Sequence, residues 1–367
     1  MGKYKVCVYA VAKNEEKFVD RFMDSLKEAD EVYIGDTGST DKTVEKFRQR
    51  GAIVYEIPIV PWRFDKARNE LLKEIPEDYD ICVSMDVDEV ISPGWRKCLE
   101  NAWTAETTIA RYLYIWSFNP DGTPGVQYNH HRIHASKGYR WIYPTHEVLD
   151  YIGEGEQKST FIDGLAVKHY PDNSKDRGFN LELLELALKE FPNDVRNTHY
   201  YGRELMFAGK WDESIATLKK YLSLPGATWE EERGSAMKFI AICYNAKGDY
   251  QQARSWLLRA MAETPYSRDP FIEAAYIAYN NQDWVTTFFA TTKGLDIKEK
   301  FFNGYPSDAR GWRWDIYDLA AIACYNLGMY KESLEYAKIA LKLCPTDVRL
   351  KKNLQIIYDK VIEVYKE

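Results

Sequence analysis

Lys5-Val6-Cys7-Val8-Tyr9-Ala10-Val11-Ala12-Lys13-Asn14-Glu15-Glu16 is an apolar run that stops abruptly in charge. Its continuous apolar character predicts a strand over Lys5–Ala12, buried on both faces. Working outward, Glu15–Leu26 has helical spacing, with Phe18, Phe22 and Leu26 on one stripe. Glu31–Gly35, Ala52–Ile57 and Ile81–Met85 read as further strands. Helices are expected over Lys42–Arg50, behind the capping side chains of Ser39-Thr40-Asp41, and over Lys66–Glu74. Strands alternating with helices predict a mostly parallel sheet with helices on both faces. Ligands of such sheets lie at the carboxyl ends of strands, so the residues just after strands carry the most information.

From about Asn180 the pattern is helical and repeats itself. Aligning on the turn residues Gly209, Gly248, Gln282 and Gly328 places Ser214, Ala253, Thr287 and Ser333 at a common later position. Ala260 and Ala340 recur further on, followed by Pro265 and Pro345. This is the small-residue and proline spacing of tetratricopeptide helix pairs, and the 34-residue step from Gly248 to Gln282 matches their period. The other steps are longer and imply inserts, the larger being the aromatic stretch Lys298–Trp314. The third repeat is degenerate, with Gly294 where alanine is expected. Val348–Tyr365 reads as a capping helix. The expected domains are 1–175, α/β, and 176–367, all-α helical repeat.

The chain has 367 residues, with 49 Lys+Arg against 56 Asp+Glu, a net charge of −7 that argues against a general nucleic-acid or anionic-membrane binder. No apolar run reaches the ~18–20 residues of a membrane span. The N-terminal apolar stretch lacks the cleavage site of a signal peptide, and Val6 stands where a myristoylation motif needs Ser or Thr. Six cysteines (Cys7, Cys82, Cys98, Cys243, Cys324, Cys344) are scattered without a CxxC pair, the pattern of reduced core thiols in a cytoplasmic protein.

The strongest chemical signal is Ser84-Met85-Asp86-Val87-Asp88-Glu89, two carboxylates two residues apart at the end of an apolar strand. Alternation would turn both to one side, where they repel unless a cation such as Mg²⁺ or Mn²⁺ neutralises them. A solvated loop is the plainer reading of these acids. Asp36 ends the second strand and opens Asp36-Thr37-Gly38-Ser39-Thr40-Asp41; it either accepts from a nucleobase or ribose or closes an Asx turn. Four of the six histidines fall in Asn129–His146 (His130, His131, His134, His146), and His169 follows the apolar Leu165–Val167. P-loop, zincin, nucleophile-elbow and dinucleotide-binding signatures are absent.

Taken together, Ala12-Lys13-Asn14-Glu15-Glu16, Gly35-Asp36-Thr37-Gly38-Ser39-Thr40-Asp41-Lys42-Thr43, Phe64-Asp65-Lys66-Ala67-Arg68-Asn69 and Met85-Asp86-Val87-Asp88-Glu89 resemble, in order and spacing, the inverting glycosyltransferases of family 2, which have the GT-A fold. The likeness is to the branch with C-terminal tetratricopeptide repeats, which includes peptide S- and O-glycosyltransferases and lipopolysaccharide-core glycosyltransferases. It continues more loosely through Tyr139-Arg140-Trp141, His146-Glu147 and His169-Tyr170. The resemblance implies a Rossmann-like, mostly parallel GT-A domain and a nucleotide-sugar pocket containing Ala12, Asn14, Glu16, Asp36, Arg68, Asp86 and Val87. Many members have two acids where this chain has Asp36-Thr37. It implies a divalent metal, Mn²⁺ or Mg²⁺, on Asp88, completed by His169, by His146 or by neither. Glu147 is the candidate general base, with Glu89 and Asp163 as alternatives. Trp116, Tyr139 and Trp141 are either sugar-stacking or core residues. The expected function is transfer of a UDP-linked hexose or N-acetylhexosamine to a peptide or protein acceptor held partly by the repeats. The alternatives are a glycan or lipopolysaccharide-core acceptor with the repeats forming a homodimer, a nucleotidyltransferase, and a non-catalytic repeat scaffold with a decayed transferase domain.

Overall fold

In the computed structural model, which describes residues 2–119, 122–172, 180–299, 305 and 307–365, the opening apolar run forms β1 (Val6–Ala12). Alternation along it divides the core in two. Val6, Val8 and Ala10 join Ile81, Val83, Phe22, Phe47 and Trp95 on one face, whereas Cys7 and Tyr9 join Cys82, Leu71 and Trp141 on the other. The elements that follow are α1 (Val19–Ser25), β2 (Glu31–Asp36), α2 (Thr43–Gln49), β3 (Ile53–Glu56), α3 (Phe64–Glu74), β4 (Ile81–Ser84) and β5 (Glu89–Ile91). Then come α4 (Trp95–Ala102), β6 (Ile109–Ile115), β7 (Gln127–Ala135), β8 (Tyr139–Ile142), β9 (Val148–Tyr151), β10 (Ser159–His169) and α5 (Asn180–Glu190). Helix α1 starts later than Glu15 because the backbone there is tied to the β2–α2 loop: Glu15 N–H donates to Thr43 Oγ1 (2.7 Å) and Glu16 N–H to Asp41 Oδ2 (3.2 Å).

The eight-stranded sheet has the order β3-β2-β1-β4-β7-β6-β10-β5, and β8–β9 forms a separate hairpin. Strands β1 to β4 pair in parallel, as does β10 with β6. Strand β7 enters antiparallel between β4 and β6, and β5 runs antiparallel to β10 with His169 opposite Glu89. That last register carries the end of β10 to the acidic loop after β4.

The chain divides into two compact units, Met1–Glu190 and Phe191–Glu367. Helix α5 falls in the first, so the division lies beyond residue 175. The second unit is a run of helix pairs: α6 (Val195–Phe207) with α7 (Trp211–Ser223), α8 (Glu230–Ala246) with α9 (Tyr250–Glu263), α10 (Asp269–Asn280) with α11 (Trp284–Asp296), and α12 (Trp314–Asn326) with α13 (Tyr330–Leu343), followed by α14 (Val348–Tyr365). All four aligned turn residues are left-handed: Gly209 φ 72°, Gly248 φ 81°, Gln282 φ 57° and Gly328 φ 77°. The position five residues later is fully buried in every repeat, and Ser214 and Ser333 make the same cross-link, donating to the carbonyls of Gly202 (2.7 Å) and Ala321 (2.8 Å). Gly294 is explained by crowding, since a Cβ there would lie 3.0 Å from Ile316 Cδ1. Of the insert Lys298–Trp314, residues 300–304 and 306 lie outside the described residues. Its later part is held by Arg268, which donates to the carbonyls of Ile297 and Gly311 and lies 4.0 Å from the Trp312 ring centroid.

Candidate active site

Strand β4 ends at Ser84, and residues 85–88 turn directly into β5. The two acids therefore do not share a strand face, and strand alternation does not govern them. They have different partners. Asp86 is gripped by two arginines: Arg68 Nη2 donates to Oδ1 (2.5 Å) and Arg132 Nη1 to Oδ2 (2.7 Å). Burial works to raise the Asp86 carboxyl, but Arg132 and Arg68 outweigh it and hold it well below the usual carboxylate range. The repulsion expected between paired acids is thus answered at Asp86 by guanidinium groups.

Arg68, on α3, also donates from Nε to Glu147 Oε1 (2.7 Å) and from Nη1 to Ser84 Oγ (3.0 Å). Glu147 precedes β9 in a loop where Tyr143 (φ 78°) and His146 (φ 50°) are left-handed, an unusual backbone for side chains of that size. Its Oε2 has no hydrogen bond among the described residues. Glu89 lies beneath the loop, fully buried, accepting from the Asp86 N–H (2.9 Å) and the Tyr114 hydroxyl (2.7 Å). Burial, then the Asp86 charge, pushes its carboxyl up to about 7. Glu89 is fully buried, whereas the Glu147 side chain is 7 % exposed.

Asp88 faces His169, with Oδ2 3.3 Å from Nε2. The other ring nitrogen lies 3.1 Å from the Trp116 carbonyl, which can only accept, so Nδ1 carries a proton. Burial lowers the imidazole, but the Asp88 bond and charge outweigh it and its pKa is raised. Trp116 stacks near-parallel on His169 (23°) and is 43 % exposed. Trp141 is 2 % exposed: its indole N–H donates to Tyr9 Oη (2.9 Å), which pairs with His134 Nε2 (2.8 Å), and its ring centroid lies 4.8 Å from the Arg68 guanidinium carbon. Tyr139 is likewise buried, so among Trp116, Tyr139 and Trp141 the exposed ring is Trp116.

The strand-end residues around β1 and β2 form a laced pair of loops. The Ala12 carbonyl accepts from Thr37 N–H (3.0 Å), Asn14 Oδ1 from Thr40 N–H (2.8 Å) and Glu16 Oε2 from Lys42 N–H (3.0 Å). Asp36 accepts from Gly38 N–H, Ser39 N–H and Ser39 Oγ, which is the Asx-turn arrangement. Val87 packs into the core. These residues stand at the carboxyl ends of β1, β2 and β4, while Arg68, Asp86 and Glu147 form one cluster and Asp88 and His169 an adjoining pair. Sequence reasoning missed Arg132, Tyr114 and Ser84. Arg132 lies among the histidines of β7, in His130-His131-Arg132-Ile133-His134, where polar residues on alternate positions of a strand are a signal that could have found it.

Residues 7–155 match the family model described as Glycosyl transferase family 2. The N-terminal unit therefore carries a family 2 glycosyltransferase domain, and the second unit is a run of helix pairs with the tetratricopeptide repeat spacing. Similar solved structures include MamA protein (18 % identity over 51 % of this chain and 85 % of that one, TM-score 0.36). Others are TTC0263, a thermophilic TPR protein in Thermus thermophilus (17 %, 48 % and 88 %, TM-score 0.34), and YrrB, a TPR protein with an unusual peptide-binding site (14 %, 51 % and 94 %, TM-score 0.39). No curated protein sequence matches the chain significantly. No described helix is long and apolar enough to cross a membrane.

Proposed function

We propose that the chain is a metal-dependent, inverting glycosyltransferase that takes a hexose or N-acetylhexosamine from a UDP-linked donor and places it on a peptide or protein acceptor. The observation that carries this reading is the Asp88–His169 pair beside the Asp86 cluster, at the strand ends of a family 2 domain. Among the described residues no group of three or more acidic, histidine or cysteine side chains is arranged to hold a metal. The pair nevertheless suits a divalent cation completed by a diphosphate. His169 Nε2 and Asp88 Oδ2 lie 3.3 Å apart, so both would turn toward one cation once the imidazole gives up its Nε2 proton. The outward N–H donated to a backbone carbonyl is the usual support of a metal-ligating histidine. A bound Mn²⁺ or Mg²⁺ would neutralise charge on the departing nucleoside diphosphate. Asp88 and His169 would hold that cation, Glu147 would accept the proton of the attacking acceptor, and the exposed face of Trp116 would support the sugar or acceptor.

For the acceptor, support comes from the repeat unit. It contains an open, shallow pocket whose lining includes Glu231, Lys238, Tyr266, Asp269 and Trp312, a mixed polar and aromatic wall suited to a peptide side chain. A second reading keeps the chemistry but assigns a glycan acceptor and a homodimer through the repeats. Its observation is the exposed apolar side chains Leu343, Val348, Ile356 and Tyr358 at the C-terminal end of that unit. The unpaired state of all six cysteines suits a cytoplasmic location.

The test is a thermal-shift screen of UDP-, GDP-, dTDP- and CMP-sugars with Mn²⁺ or with EDTA, followed by transfer to a peptide array bearing Cys, Ser and Thr. A metal-dependent stabilisation by one donor, lost in Asp88→Ala and His169→Ala, is expected. Equal shifts in EDTA, or full transfer by Asp88→Ala, would defeat the metal assignment.

A further inference from the structure

Two arginines meet on Asp86, and they differ in what remains for a ligand. All three Arg68 nitrogens are engaged, on Glu147, Ser84 and Asp86, and its side chain is 4 % exposed. Arg132 makes one hydrogen bond, from Nη1 to Asp86 Oδ2. Its Nε is buried without an acceptor, and its Nη2 stops 3.8 Å from Glu147 Oε1, beyond hydrogen-bond range. Its side chain is 13 % exposed. A guanidinium offers five N–H donors in a planar fork, and leaving buried donors of a charged group unmade is costly. The residue to which Arg132 is bonded lies two positions from Asp88, where the diphosphate of a nucleotide sugar would meet the metal. The planar fork matches two oxygens of a phosphate.

We propose that Arg132 is the side chain that grips phosphate oxygens of the nucleoside diphosphate, and that Arg68 is a positioning residue holding Asp86 and Glu147. The proposal rests on the nucleotide-donor reading above and moves the nucleotide contact from Arg68 to Arg132. The division follows from saturation: a ligand that took Arg68 would have to displace a buried carboxylate, whereas the Nη2 of Arg132 makes no hydrogen bond and is left for a new one.

Calorimetric titration of the full chain tests it, with UDP, GDP, dTDP and CDP in Mn²⁺ and with Mn²⁺–pyrophosphate as a probe that has no base. In Arg132→Gln the affinity for the preferred diphosphate and for pyrophosphate is expected to fall about 10- to 100-fold, equivalent to about 1.4–2.8 kcal/mol. Arg132→Lys, which keeps the charge but not the fork, should recover part of that loss. Arg68→Gln should lower kcat while changing diphosphate affinity less than about threefold. Unchanged binding by Arg132→Gln, or loss of diphosphate but not pyrophosphate affinity, would overturn the proposal. So would a larger pyrophosphate loss in Arg68→Gln than in Arg132→Gln. If both Arg132 variants fail to fold, Arg132 is a structural ion-pair member and the proposal falls. If the unmodified chain binds none of the four diphosphates, the donor reading fails first and takes this assignment with it.

Discussion

Replacing Arg68 by methionine isolates the electrostatic work at the centre of the first unit. The substitution keeps most of the side-chain stem and removes the charge, together with bonds to Glu147 (2.7 Å), Asp86 (2.5 Å) and Ser84 (3.0 Å). Removing one partner of a buried ion pair costs about 3–5 kcal/mol because the other charge is left uncompensated. Glu147, whose side chain is 7 % exposed, should account for most of this, since Asp86 is 40 % exposed and keeps Arg132. For a unit of this size about 2–4 °C accompanies each kcal/mol, so the melting transition of the first unit should fall by roughly 6–20 °C at pH 7. The pH dependence has a definite sign. The Asp86 pKa is depressed in the folded state, so its contribution is present above its unfolded value of about 4 and is lost as pH falls through the lower folded value. The deficit of Arg68→Met should therefore be largest at neutral pH and shrink below about pH 4, where the unfolded carboxylates protonate. Scanning calorimetry of the full chain at pH 7 and at about pH 3 measures both. A shift under about 2 °C at pH 7, or a deficit that grows on acidification, would refute the reasoning.

Two further substitutions probe the scaffold. Tyr9→Phe removes the hydroxyl between the Trp141 indole and His134, leaving two buried polar groups without their partner; a loss of about 1–3 kcal/mol in urea unfolding is expected, with a change in tryptophan emission. An unchanged midpoint would show that the chain of bonds contributes nothing. Gln282→Gly should stabilise the repeat unit by roughly 0.5–1 kcal/mol, because a non-glycine residue at φ 57° costs more than the extra backbone freedom of glycine. Destabilisation by this change in thermal unfolding would mean that the glutamine side chain holds the turn.

The four left-handed turn residues show how far local pattern reaches. The repeats were aligned on residue type and spacing, and Gln282 takes the same left-handed φ as the glycines it replaces. The opening strand was equally legible, because a strand buried on both faces needs apolar side chains at every position and Val6–Ala12 has them. The strand-end acids could be located but their partners could not. The two-residue period of β4 does not reach Asp86 and Asp88, because the strand ends at Ser84 and a turn has no such period.

Sequence alone determined the βα alternation, the repeat phase and the carboxylates that end strands, since each depends on periods of two, 3.6 or one turn within a few neighbouring residues. Only the tertiary structure decided which distant groups those carboxylates meet. Inserting β7 between β4 and β6 accompanies the delivery of Arg132 to Asp86, and laying β5 antiparallel to β10 sets His169 beside Asp88. Those pairings join residues tens of positions apart, and buried hydrogen bonding and charge neutralisation, which have no period along the chain, select them.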